Sequence, residues 1–337
     1  MTGLHLHRSN RLEALAEALA AIVRSRPLRP LQTETVVVQS RGMGVWVQQH
    51  LAAANGVSML QDFPFPAAHA QSLFRAALGP QVPSTSAFER KRLEWRIAAL
   101  LPGIIAQPGA ESLARYLEEK PHPLKRFQVA QRIAASFDRY VAHRPRTLRD
   151  WEAGQGNGWQ AELWRLLAEG APEGSPLALQ QRFDAALAGD PQALAGLPTR
   201  VSVFGVSALP QHYLHLLESA ARVLEVHLFA LTPTPEFWSD LLTQKEADRL
   251  ARKAGAPSPE DIHAELGHPL LASWGRAGRL FCSALLELQP RAESELFVAP
   301  QGGGILARIQ ADIYAAIPPV HSGGGTSPSA CPGGIAA

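Results

Sequence analysis

Sulfur chemistry is almost missing from this chain. Only two of its 337 residues are cysteines, Cys282 inside an apolar helical pattern and Cys331 near the C-terminal end. Two such thiols supply neither a disulfide framework nor a zinc cluster, and the pattern fits a reducing cytoplasm. Long apolar runs are missing too. No stretch of eighteen or more apolar residues occurs, and no basic patch followed by an apolar core opens the chain, so neither a membrane span nor a signal peptide is expected. Lysine is withheld from the whole N-terminal region, Lys91 being the first. There is no H-E-x-x-H, no G-x-S-x-G, no Cys/His pair and no cluster of carboxylates with a lysine. Their absence argues against a zinc protease, a serine hydrolase and a nuclease.

What is present reads as a globular chain, 46% hydrophobic and 18% charged, long enough for two domains. The net charge of +2 does not by itself argue for nucleic acid. Its distribution is more informative. From Lys125 to Arg149 there are seven basic residues against one acid, Asp138, in a chain that is otherwise nearly neutral.

The stretch from Thr35 to Leu51 organises the rest. Val36, Val37 and Val38 form a β-branched run too short for a helix, and Gly42 and Gly44 punctuate the turn into a following helix. In a nucleotide-binding α/β domain a phosphate would sit there, on backbone N–H groups at the helix N-terminus. A P-loop, however, needs a lysine for the β/γ-phosphates and a hydroxyl for magnesium. Here Gly42-Met43-Gly44 runs into Val45 and Trp46. The turn around Ser40, Gly42 and Gly44 is either a degenerate nucleotide site or an ordinary strand-to-helix turn. A second strand, Val201–Val206, ends in Ser207-Ala208-Leu209 without the carboxylate an ATPase uses to hold magnesium and orient water. ATP hydrolysis is not expected, and no catalytic residue is assigned.

Taken in order, Leu4–His7 suggests a first strand. Asn10 with Glu13 resembles a capping box before the stripe Leu12, Leu15, Leu19, Ile22, Val23, on a helix that ends before Pro27. After the central strand, turn and helix, Asp62-Phe-Pro-Phe-Pro66 holds Phe63 and Phe65 in an extended loop, and Ala67–Leu78 follows as a helix. Between Phe88 and Leu194 the strand signal vanishes, and helical stripes such as Leu93, Ile97, Leu101 and Ala130, Ile133, Phe137 replace it. Strand signal returns at Val201–Val206 and Leu224–Leu231, separated by a helix over Gln211–Ala221. Strand, helix, strand implies a parallel sheet with a right-handed crossover. Leu270–Leu288 and Ile305–Ile317 supply later helices. The expected fold is α/β, a doubly wound parallel-sheet domain of residues 1–85 and 197–317 with an all-helical subdomain, 86–196, inserted. Residues 318–337 form a low-complexity tail, small and rich in glycine and proline, that cannot bury enough surface to order itself.

Lys125, Arg132 and Arg139 recur every seven residues, drifting about 20° per step, so they line one helix face. Such a face suits phosphates, or is simply solvated. Arg144 and Arg146, flanking Pro145, extend it. Trp46, Phe63 and Phe65 are candidates to stack on unpaired bases; burial is the expectation for the first two, and Phe65, between two prolines, is the better candidate. His212 and His215 have helical spacing for a metal pair but no third ligand nearby, so no metal site is assigned.

Several stretches together resemble a known family: His7-Arg-Ser-Asn-Arg-Leu12, Val38-Gln-Ser-Arg-Gly-Met43 with Trp46, Asp62-Phe-Pro-Phe-Pro66, Phe137-Asp-Arg-Tyr140 with Arg144-Pro145, Gly205-Val-Ser-Ala-Leu-Pro210, and above all His268-Pro-Leu-Leu-Ala-Ser-Trp-Gly275 followed by Gly278-Arg279. Over residues 4 to about 317 the chain resembles the N-terminal third of the RecC family, gamma subunits of the RecBCD helicase–nuclease (exodeoxyribonuclease V). That resemblance implies a RecA-like, P-loop NTPase-like domain derived from a superfamily-1 helicase that kept its fold and lost its ATP chemistry. It implies a non-catalytic subunit that guides single-stranded DNA from DNA ends and scans it for the recombination signal Chi during double-strand-break repair. RecB and RecD would be the partners, using ATP and magnesium that this chain does not hold. Gln39, Arg41, Phe65, Asp138 and Arg144 match the family's channel-lining positions. Arg41 stands where a smaller hydroxyl residue is usual, and Val45 and Gln71 also depart from the polar and aromatic residues of that pattern. The family's later domains would follow residue 317, so a truncated or frame-shifted form is expected. A divergent ATPase using Arg41, or a protein-interaction fragment without a DNA role, are the alternatives.

Overall fold

In the computed structural model, which describes residues 2–317 apart from 84, 119–121, 190–193, 259–260 and 262–264, the valine run lies inside a six-stranded sheet. The strands are β1 (Gly3–Ser9), β2 (Glu34–Val37), β3 (Gln61–Asp62), β4 (Arg200–Val206), β5 (Glu225–Leu231) and β6 (Ala292–Glu295). Their order is β3-β2-β4-β5-β1-β6, and every pairing is parallel. Parallel strands are covered on both faces, which is why β4 and β5 are buried almost from end to end. β6 was not anticipated: Ala-Glu-Ser-Glu is a polar, largely exposed edge without the apolar alternation that marks a strand.

The helices sort by face. α1 (Leu12–Ser25) and α2 (Arg41–Asn55) share a core with Val36, Val38, Phe204 and Phe229. On the opposite face α3 (Pro66–Leu78), α9 (Pro176–Gly189) and α10 (Gln211–Ala221) pack with Val37, Val203, Leu6 and Leu228. Alternation along each strand sends neighbouring residues to the two cores. Between β3 and β4 run α4 (Arg90–Ile104), α5 (Glu111–Glu118), α6 (Pro123–His143), α7 (Pro145–Glu152) and α8 (Trp159–Glu169). They bury a third core around Ile97, Ala130, Phe137 and Trp164. Sheet and helical block belong to one compact unit, residues 1–235 and 280–298; a second unit comprises 236–279 and 299–337.

Two local expectations are corrected. Asn10 does not cap α1; Arg11 holds the N-cap position without a side-chain bond, and the Asn10 amide instead exchanges two hydrogen bonds with the Val298 backbone. Leu270–Leu288 is not one helix but two, Pro269–Ser273 and Arg276–Leu286. The amide of Gly275 reaches back five residues to the Leu270 carbonyl, a wide closing turn that ends the first helix. The tail, 318–337, lies outside the described residues.

Candidate nucleic-acid interface

The strand-to-helix turn after β2 is built from its own side chains. Ser40 is the N-cap of α2, its hydroxyl accepting from the Met43 amide at 3.1 Å, so the hydroxyl is spent on the helix. Gln39 Nε2 donates to the Ala208 carbonyl at 2.6 Å, tying this turn to the one that follows β4. Gly44 is buried because α2 passes close to the proline loop: a Cβ there would lie 3.1 Å from the Phe63 Cβ. Gly42 is exposed, as is Arg41 at the first helical position, the one cation of α2's first turn. Phe65 is the N-cap of α3 and 42% exposed, while Phe63 and Trp46 are half-buried against the α1–α2 core. The parallel turn after β1 is filled. Ser9 accepts from the Arg11 amide at 3.0 Å and donates to the Leu296 carbonyl at 2.7 Å.

The bend between α6 and α7 opens into a cleft of about 1140 Å³. Asp138 and Arg144, 6 residues apart in sequence, meet there with Gln71 of α3, Arg90 at the start of α4, Arg146 of α7 and Gln180 of α9. The chain bends at Arg144 because Pro145 cannot continue a helix; Arg144 caps the C-terminus of α6 and the N-terminus of α7 at once. Its guanidinium lies 5.6 Å from the centre of the Tyr140 ring. Gln71 donates to the Pro83 carbonyl at 2.8 Å. His212 lines the same cleft, and burial lowers its pKa, with a backbone hydrogen bond to Ala142 and, more weakly, the Asp138 charge acting the other way. Burial likewise raises the Glu218 pKa, and His215 stands 3.6 Å from Asp184. The cleft is therefore mixed in charge, a set of amide, guanidinium and carboxyl groups of the kind that reads base edges.

Lys125, Arg132 and Arg139 do not line this cleft. They run along a face of α6 that lies well round the helix from the buried Ala130, Ile133 and Phe137. The Lys125 ammonium sits 4.2 Å from the Tyr116 ring centre; Arg132 is exposed; Arg139 donates to the Ser136 hydroxyl at 3.1 Å. The candidate residues thus fall into three places: the turn with Gln39, Ser40, Arg41, Gly42, Gly44 and Phe65, the cleft with Asp138 and Arg144, and the outer stripe. Arg90, Gln180 and Gln211 were missed by sequence reasoning, which weighed His212 only as half of a metal pair with His215. They come from α4, α9 and α10, and no spacing in the chain signals that these helices share a cleft.

A family model for the RecC N-terminal domain matches residues 4–316. The chain belongs to the RecC family. A RecC subunit of the RecBCD enzyme from Escherichia coli K12 is 33% identical over 342 residues, covering 92% of this chain and 30% of that protein. The Haemophilus influenzae subunit is 28% identical over 369 residues, covering 91% and 33%, and the Mycolicibacterium smegmatis subunit 30% over 282, covering 81% and 24%. The chain spans about a third or less of the length of these RecC relatives.

Proposed function

We propose that this chain is a non-catalytic, DNA-guiding part of a RecC-type subunit, acting in double-strand-break repair with RecB and RecD in the cytoplasm. Single-stranded DNA arriving from DNA ends runs across the cleft and the α6 stripe, and the cleft scans it for a Chi-type sequence. The sheet domain, 1–85 and 197–317, descends from a RecA-like helicase domain, and helices 86–196 are an insertion. The separate core of the helical block and the all-parallel sheet support that descent. ATP and magnesium belong to the partner subunits. The observation that carries the reading is the cleft: Gln71, Asp138 and Arg144 converge beside exposed cations of α6. Phosphate contacts position a strand and base-edge contacts specify it, so stripe and cleft divide those tasks.

Fluorescence anisotropy with a labelled single-stranded oligonucleotide at low salt tests it. Binding is expected, weakened by Arg144→Ala at the cleft and by a joint Lys125/Arg132/Arg139→Ala change at the stripe. Absence of binding at low salt overturns it. A second reading, a divergent ATPase, is favoured only by the exposed Arg41 at the start of α2. It requires ATP turnover by the purified chain that Arg41→Ala abolishes.

A further inference from the structure

Trp95 is 67% exposed, which is unusual for so large an apolar side chain. It is not alone. Its ring lies 4.5 Å from that of Phe127, centre to centre, with the planes tilted by 38°, so α4 and α6 present an aromatic step on the outside of the helical block. Leu124, one turn before Phe127, is also exposed. None of these residues lines the cleft.

Cations flank the step on α4. Lys91 and Arg92 lie four and three residues before Trp95, the spacing that puts them on its side of α4. Among the described residues Lys91, Arg92, Arg126 and Arg132 enter no ion pair. The acid on this stretch, Glu94, is engaged, with Arg90 at 3.7 Å and Gln131 at 3.3 Å. At about 100° per residue, Phe127 lies about 140° round α6 from Arg132, on the side where it meets Trp95 and away from the Lys125–Arg132–Arg139 stripe. Lys125, at the start of that stripe, rests on the Tyr116 ring.

We propose that Trp95 and Phe127 form a stacking platform for the bases of single-stranded nucleic acid, whose phosphates are held by Lys91 and Arg92, the exposed cations on Trp95's side of α4. The inference rests on the DNA-guiding reading above and adds a second contact surface to it, distinct from the cleft. Charge decides the occupant. An apolar protein partner would not need the exposed cations Lys91 and Arg92 on the same side of α4 as Trp95, whereas a strand presents one anion and one aromatic face per nucleotide. Stacking is also indifferent to base identity, so the platform would grip without reading.

The test is anisotropy of the 337-residue chain with a labelled oligothymidylate and with an abasic sugar-phosphate oligomer of equal length. The unmodified chain should prefer the oligothymidylate about tenfold, a single good stack. Trp95→Ala should remove that preference and leave abasic binding unchanged, and Trp95→Tyr should restore most of it. Circular dichroism of each variant should match the parent, since the exposed ring supports no core. Equal binding of both oligomers by the parent chain overturns the platform. So does an unaltered preference in Trp95→Ala while the stripe variant still loses binding, a result that leaves the DNA-guiding reading standing. Saturable binding of polyglutamate that depends on Trp95 in the same way would assign the surface to an acidic protein segment and overturn it as well.

Discussion

Arg200 and Arg132 carry the same guanidinium and do opposite things. In the sheet, Arg200 is only 2% exposed; its Nε donates to Glu34 Oε1 at 2.9 Å, its Nη2 to Glu34 Oε2, and its Nη1 to the Arg26 carbonyl at 2.9 Å. Arg26 in turn pairs with Glu225, whose carboxylate also takes a 2.9 Å bond from His227. Every charge there is matched by another, because an unmatched one would be intolerable in a parallel sheet covered on both faces. On the helical block most cations of α4 and α6 are exposed, and among the described residues Lys91, Arg92, Arg126 and Arg132 enter no ion pair. Charge in the sheet holds strands together. Charge on the helices is left for something outside the chain.

The sharpest way to break that contrast is to remove one half of the buried pair. Glu34→Ala should cost about 3–5 kcal/mol of unfolding free energy, read from urea titration, because it strands the Arg200 guanidinium in the sheet. A Glu34→Leu/Arg200→Met double variant should recover much of that loss. If Glu34→Ala unfolds at the parent's urea concentration, the pair is not structural.

The sheet should also respond to acid. His7 and His227 lie on one face of β1 and β5, their ring nitrogens 3.0 Å apart, and His69 Nδ1 is 2.8 Å from the Tyr213 hydroxyl. Burial brings His7 and His69 down to about 4, with His5 and Arg26 adding to the effect at His7. In the unfolded chain these rings titrate near the ordinary 6.5, so the unfolded state binds more protons between pH 6.5 and 4. Their stabilising effect is present above pH 6.5 and lost as the pH falls toward 4. Urea midpoints should therefore drop from pH 7 to pH 5, and His69→Gln should flatten the decline. A flat profile in the unmodified chain contradicts it.

On the helices the same kind of substitution should leave the fold alone. Joint alanine substitution of Lys125, Arg132 and Arg139 is expected to change stability by no more than about 0.5 kcal/mol per site, since two are exposed and Lys125 gives up only an aromatic contact. It should lower the salt dependence of single-strand binding by about 2 in the log–log slope, roughly 0.7 for each lost phosphate contact. A large stability loss without a change in slope would show the stripe to be structural. The smallest effect belongs to Arg41→Ala. It caps nothing and pairs with no described residue, so stability should shift by less than about 0.5 kcal/mol, with single-strand affinity reduced by one phosphate contact.

Much of the sheet was legible because parallel strands advertise themselves. Val36–Val38 is a continuous apolar run and Val201–Val206 is apolar but for Ser202 and Gly205, and the seven-residue rhythm of Lys125, Arg132 and Arg139 marks an exposed side of α6 from spacing alone. The polar edge β6 gave no such signal, nor did Asn10, whose side chain chose a distant backbone over the helix it precedes. The site was legible in pieces. Asp138 and Arg144 could be named, but not that Gln71, Arg90, Gln180 and His212 would join them.

The sequence by itself determined the alternation of strands and helices, the side of α6 that faces water, and a strand-end turn without lysine. Each depends on residues within one or two turns of each other, where spacing alone sets direction. The tertiary structure decided which turn is filled and which is open, that Arg200 finds Glu34 across 166 positions, and that the Trp95 and Phe127 rings meet on an outer face. Those outcomes follow from how distant segments pack, and no local rhythm encodes which side chains that packing will bring within reach.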